Sequence, residues 1–134
     1  MRILVVDDDY ASRLKLKVLL GPYGDVDGAS DGEQALLMFS KAHDEGIPYK
    51  LITMDIGLPD MAGQEVVREI REYEDHHRRH LADSIAKILM VSVKEDAKNV
   101  VSSFRWGCEG YLVKPVTEEK LDGTLKAVEL LKAR

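Results

Sequence analysis

The chain has 134 residues, 45% of them apolar and 32% charged, with a net charge of -5 and a single cysteine. That size and balance suit one soluble, globular domain with its own core rather than a disordered segment. The acidic charge argues against sequence-independent nucleic-acid binding, one cysteine excludes an intrachain disulfide and fits a reducing compartment, and no stretch nears the ~20 apolar residues of a membrane span.

Ile3 to Val6 is an apolar run ended at once by Asp7, Asp8 and Asp9. It is too short for a signal peptide, so a cytoplasmic location is expected, and it suits a strand buried on both faces. From Tyr10 to Leu20, Ala11, Leu14 and Val18 fall at helical spacing, with Leu16, Leu19 and Leu20 widening the stripe; Gly21, Pro22 and Gly24 end it. Val26 to Ser30 reads as a weak strand loaded with Asp and Gly. A second helix spans Gly32 to Glu45 on Ala35, Phe39 and Ala42, closed by Gly46 and Pro48.

"YKLITMD" is a third strand ending in Asp55, and "GLPDMAG" is a turn-rich loop. Val66, Ile70 and Tyr73 mark a third helix, which His77 and Leu81 can extend by about two turns. Ile88 to Ser92 is a fourth strand, and Ala97, Val100, Val101 and Phe104 mark a fourth helix. Tyr111 to Val113 is a fifth strand. Leu121, Leu125, Val128 and Leu131 mark a fifth helix, with Thr117 as N-cap and Glu118 and Glu119 in its first turn.

Five strands alternating with five helices imply a parallel sheet covered on both faces. Sites in such sheets form beyond the carboxyl ends of the strands, and here those ends carry Asp7 and Asp8, Asp55, Ser92 and Lys114. Three neighbouring carboxylates repel one another, and a hard divalent cation removes that penalty. Oxygen ligands with room for water and a phosphoryl group suit magnesium. Ser92 and Lys114 then offer a hydrogen-bond donor and a positive charge to phosphoryl oxygens, and Asp55 is the natural nucleophile.

"VVDDD", "LITMDIGLPDMAG", "ILMVSV" and "GYLVKP" resemble, in order and register, the strand-end signatures of the receiver domain of two-component response regulators. The resemblance covers nearly the whole chain and is nearest to the stand-alone, chemotaxis-regulator kind. It implies a single receiver domain over residues 1–134 with a doubly wound, five-stranded parallel sheet, flavodoxin-like (βα)5, strand order 2-1-3-4-5. It also implies that Asp55 is the phosphoacceptor, that Asp7, Asp8, Asp55 and the Gly57 carbonyl hold Mg2+, and that Ser92, Lys114 and Tyr111 bind the phosphoryl group or switch with it. The Lys114–Pro115 bond is expected to be cis. The implied partners are a sensor histidine kinase or phosphotransfer protein and a downstream protein effector, reached through the face of the fourth helix, fifth strand and fifth helix. The protein would act as a monomer or a phosphorylation-dependent dimer, with neither nucleic acid nor membrane contacted directly.

Other residues take quieter readings. Asp9 suits the N-cap of the first helix, and Cys108 and Trp106 suit packing. Gly57 and Lys94 are expected to tune how long a phosphoryl group survives, through water access and charge. His76 and His80 stand at i and i+4, a spacing that can bind a metal, although a solvated charged helix end fits the segment better. Two other functions stay open. One is a Mg2+-dependent phosphohydrolase of the haloacid-dehalogenase type, with an Asp nucleophile. The other is a receiver-like binding module independent of phosphorylation.

Overall fold

β-Branched and apolar runs become the strands β1 (Arg2–Val6), β2 (Asp25–Ala29), β3 (Leu51–Asp55), β4 (Lys87–Ser92) and β5 (Gly110–Val113). The computed structural model describes residues 1–77, 85–93 and 97–130. All four strand pairings are parallel and give one sheet in the order β2-β1-β3-β4-β5. The central strands are buried on both faces, as their unbroken apolar runs require. The edge strand β2 carries the Asp and Gly residues and fully buries only Ala29. The helices are α1 (Tyr10–Leu20), α2 (Gly32–Asp44), α3 (Gly63–His76), α4 (Ala97–Trp106) and α5 (Glu118–Ala127).

Alternation along each strand divides the core in two. Ile3, Val5, Leu51, Leu89 and Val91 face Leu16 and Leu20 of α1 and Leu121 and Leu125 of α5. Leu4, Val6, Ile52, Met54, Ile88 and Met90 face Ala35 and Phe39 of α2 and Val66, Val67 and Ile70 of α3. Helix starts follow the expected chemistry: Asp9 caps α1 by accepting from Ser12, and Thr117 caps α5 by accepting from Lys120. Cys108 is buried, and burial pushes its thiol up to about 11.

Two helices turn a different face inward from the one their apolar spacing suggests. In α1 the buried stripe is Leu16 and Leu20, whereas Leu14 and Val18 are 48% and 70% exposed. Two residues span about 200° of a helix, so these two stripes lie on opposite sides. Among the described side chains of α4 the buried one is Ser103, while Val101 and Phe104, about 160° and 100° away around the helix, face outward. Trp106 is not packed inside either: it lies at the surface under the Arg68 guanidinium, 5.4 Å from the ring centre. α3 is described to His76, with His77 as its cap; the expected continuation through His80 and Leu81 lies outside the described residues, as does Leu131.

The end of the sheet opposite the strand carboxyl termini is fastened by Arg71 of α3. Its guanidinium donates to Glu74, to Glu109 and to the carbonyls of Ala86 and Gly107. The two carboxylates also accept the backbone N–H groups of Ala86 and Ile88. One charged knot thereby ties α3, the start of β4 and the turn into β5. Replacing Arg71 by Leu leaves the nearly buried Glu74 without its cation, and is expected to lower stability by about 3 kcal/mol in urea unfolding. Thr53, on β3, is buried and its hydroxyl has no partner among the described residues. Thr53→Val is expected to raise stability by about 1 kcal/mol, because it removes an unpaired polar group while keeping the shape.

Candidate functional site

The carboxyl ends of β1, β3 and β4 lie side by side because the sheet is parallel and β1 and β4 both flank β3. β1 runs out into Asp7 and Asp8, and β3 ends on Asp55. One oxygen from each of these three acids can be chosen so that all lie within 4.8 Å of one another. Asp7 is buried, Asp55 is partly buried and Asp8 is exposed. The three acids expected from the sequence are therefore brought together, and Asp9 stands apart as a helix cap.

Asp7 is held on every side. One carboxylate oxygen accepts the Asp9 backbone N–H at 3.0 Å, and the other accepts Lys114 Nζ at 2.8 Å. Its backbone carbonyl accepts from Arg13 of α1 at 2.8 Å, and its N–H donates to Ala29 at the end of β2. Lys114 directly follows β5, and its Nζ also stands 4.0 Å from Asp55. Burial alone would lower the Lys114 pKa, but the hydrogen bond to Asp7 and the charges of Asp55 and Asp7 together raise it. The Lys114–Pro115 peptide is cis.

Asp55 behaves differently. Burial is the largest influence on its carboxyl and raises the pKa; Lys114 opposes this, the charges of Asp7 and Asp8 reinforce it, and the Gly57 backbone N–H opposes it. An oxygen-only donor set, crowded and short of positive charge, fits a hard divalent cation. Ser92 is buried at the end of β4, one position beyond Val91, which pairs with Asp55. Tyr111 on β5 is half-buried against the core cluster on the α2–α3 side of the sheet. A Cβ at Gly57 would meet nothing within 4 Å, so the space on that side of Gly57, two residues past Asp55, is open. Lys94 lies outside the described residues.

The loop from Ile56 to Ala62 closes on itself. Gly63 N–H donates to the Ile56 carbonyl at 2.8 Å, and Gly57 and Ala62 form an antiparallel bridge. A Cβ at Gly63 would overlap the Asp55 carbonyl oxygen, so only glycine permits this approach. Two residues near the site carried no distinguishing signal in the sequence. Arg13 looks like any solvated helix arginine until it reaches the Asp7 carbonyl. Asp60 looks like a turn residue, yet its two oxygens accept the N–H groups of Gly32 and Glu33 at the start of α2, both at 2.9 Å.

Residues 3–126, which include every site residue above and all of the strands but Arg2, match the response regulator receiver domain. The chain belongs to that family. The receiver is 31% identical over 129 residues to the two-component response regulator PhoP of Pseudomonas aeruginosa, covering 96% of this chain and 51% of that protein. It is 29% identical over 128 residues to the probable transcriptional regulator ycf27 of Porphyridium aerugineum, covering 95% and 47%. The chain thus spans about half the length of these two relatives. Among solved structures, the chemotaxis protein CheY4 of Vibrio cholerae superposes with a TM-score of 0.77 at 29% identity, covering 95% of this chain and 97% of that one. Receivers are signalling switches that accept a phosphoryl group, not turnover enzymes. No helix among the described residues is long and apolar enough to cross a membrane.

Because the folded receiver raises the Asp55 pKa, its charged form is less favourable in the fold than in the unfolded chain. The penalty is full above the folded value and fades as the pH falls through that value toward the unfolded 3.8. Asp55→Asn should therefore raise the melting temperature of metal-free protein at neutral pH, with the gain vanishing near about pH 4. Thermal melts in a chelator across that range check both the sign and the window.

Proposed function

We propose that Asp55 of this receiver accepts a phosphoryl group from a phosphohistidine on a sensor histidine kinase or phosphotransfer protein. A carboxylate oxygen of Asp55 attacks phosphorus, the phosphorus–nitrogen bond breaks, and its electron pair returns to the partner's imidazole. The observation that carries this reading is the placement of Asp55: it shares a rim with two other acids within ligand distance and has Lys114 4.0 Å away. Asp7, Asp8, Asp55 and the carbonyl of Gly57 would hold Mg2+, which supplies positive charge to the acids and to the transferring oxygens.

The remaining steps belong to the chain. Lys114, charged and already bonded to Asp7, moves a short way to a phosphoryl oxygen on Asp55. Ser92, at the next strand end, donates its hydroxyl to another. These contacts exist only once Asp55 is modified, so they favour one of two arrangements of the segment after β4. Tyr111 follows Ser92 inward and reshapes the face of α4, β5 and α5, where a downstream protein docks. Gly57 leaves a path for water to the acyl phosphate, and with Lys94 it sets how long that bond survives.

Incubation with a small phosphodonor and Mg2+ should add one phosphoryl group per chain, read by intact mass. Asp55→Asn should abolish it, and Lys114→Met should keep the modification while uncoupling it from effector binding. Continuous turnover of a phosphomonoester would instead indicate a phosphohydrolase, and no modification of the wild type would indicate a phosphorylation-independent module.

A further inference from the structure

We infer that Asp60 is a positioning residue for the metal site: it straps the loop carrying the Gly57 carbonyl to the N-terminus of α2, and the affinity for Mg2+ depends on that strap. The inference rests on the assignment of Gly57 as a metal-site carbonyl.

The loop between Asp55 and α3 has two hydrogen-bonded fastenings, besides the packing of Leu58 and Met61 on the core. At its base, Gly63 N–H bonds to the Ile56 carbonyl, and Gly57 bridges Ala62. At its tip, Asp60 takes the first two N–H groups of α2, from Gly32 and Glu33. These groups have no partner within the helix, so a carboxylate there is both a hydrogen-bond acceptor and a favourable charge at the helix dipole. The neighbouring residue adds a second contact. A Cβ at Gly32 would collide with the Met61 side chain, so the bare glycine lets the loop close against α2.

α2 does not need Asp60 in order to begin. Asp31 already caps it by accepting from Gln34 N–H at 2.7 Å, and Gln34 returns an acceptor to the Ser30 N–H at 2.8 Å. Asp60 is a second acid, brought from a sequence separation of 28 residues, on a helix end that is capped without it. What it adds is a fixed distance between α2 and the loop. Without the strap, the loop keeps its base bonds and the packing of Leu58 and Met61 on the core, but loses its polar tie to α2, and more of the ordering of the Gly57 carbonyl is left to the incoming ion. That ordering cost falls directly on affinity, and outer residues that orient metal ligands commonly change affinity by about tenfold or more.

The test is calorimetric titration of Mg2+ into the full chain, comparing wild type with Asp60→Ala, Asp60→Asn and Asp31→Ala, each checked for folding by circular dichroism. Asp60→Ala should bind Mg2+ about tenfold more weakly. Asp60→Asn, which keeps one acceptor and loses the charge, should lose only about threefold. Asp31→Ala should lower the melting temperature by removing the ordinary cap, with Mg2+ affinity unchanged. Wild-type affinity in Asp60→Ala overturns the inference. So does an equal loss in Asp60→Ala and Asp60→Asn, which assigns the effect to charge alone, or an equal loss in Asp31→Ala, which assigns it to helix stability. If Asp60→Ala does not fold, Asp60→Asn against Asp31→Ala makes the same comparison. A wild-type chain that takes up no Mg2+ overturns the function reading and this inference together, whereas wild-type binding that survives Asp60→Ala overturns the inference alone.

Discussion

Repulsion among carboxylates governs the upper rim of this sheet. Asp7, Asp8 and Asp55 would separate in a flexible chain, and here the backbone denies them that freedom. Each is fixed at or just past the end of a parallel strand whose other residues are locked into the core. The result is a site with an unbalanced charge built into a stable frame. Lys114 answers part of it and is committed first to Asp7, so Asp55 keeps the larger share of the strain. Asp7 and Asp55 differ here less by identity than by which of them the nearby ammonium reaches first.

The two ends of the sheet are organised on opposite principles. At the Arg71 end, the charges and polar groups named in the knot are paired with one another: two backbone carbonyls converge on the guanidinium, and two backbone N–H groups on the carboxylates it holds. Nothing in that knot invites a ligand. At the other end the groups are held in place but incompletely matched, which is the condition for binding something. Stability and responsiveness are thus separated along the strand direction. A rearrangement at the rim need not disturb the packing below, because β4 is anchored at its start by hydrogen bonds to Glu74 and Glu109.

The parallel sheet and the rim acids were legible because strand ends in an alternating β–α chain are legible: an apolar run stops and a polar residue follows; the strand order came from the family resemblance. Asp9 and Thr117 were equally readable, since a helix cap is a local matter of chemistry within a few residues, whereas the cis bond before Pro115 was expected from the family resemblance alone. The helix faces were less so. Apolar spacing finds a stripe but does not say which stripe meets the sheet when a helix such as α1 carries two. Arg13 and Asp60 were illegible for another reason. Their partners lie on other elements, reached only after the chain has wound, and an arginine in a helix or an aspartate in a turn has many commoner uses. The least readable parts of the site were those that support other residues rather than meeting a ligand themselves.

The close approach of Gly63 to the Asp55 carbonyl has one more consequence. It makes the stretch between these two residues a ruler. The start of α3 can lie against the end of β3 only if the intervening loop has the length that returns it there, with Asp60 falling at its tip. A residue added or removed inside it would shift Asp60 off α2, or push the start of α3 away from Asp55, even if every side chain were kept. Loop length here is a coordinate of the site, set by backbone contact, and the chain has far less liberty to change it than the loop's exposed surface suggests.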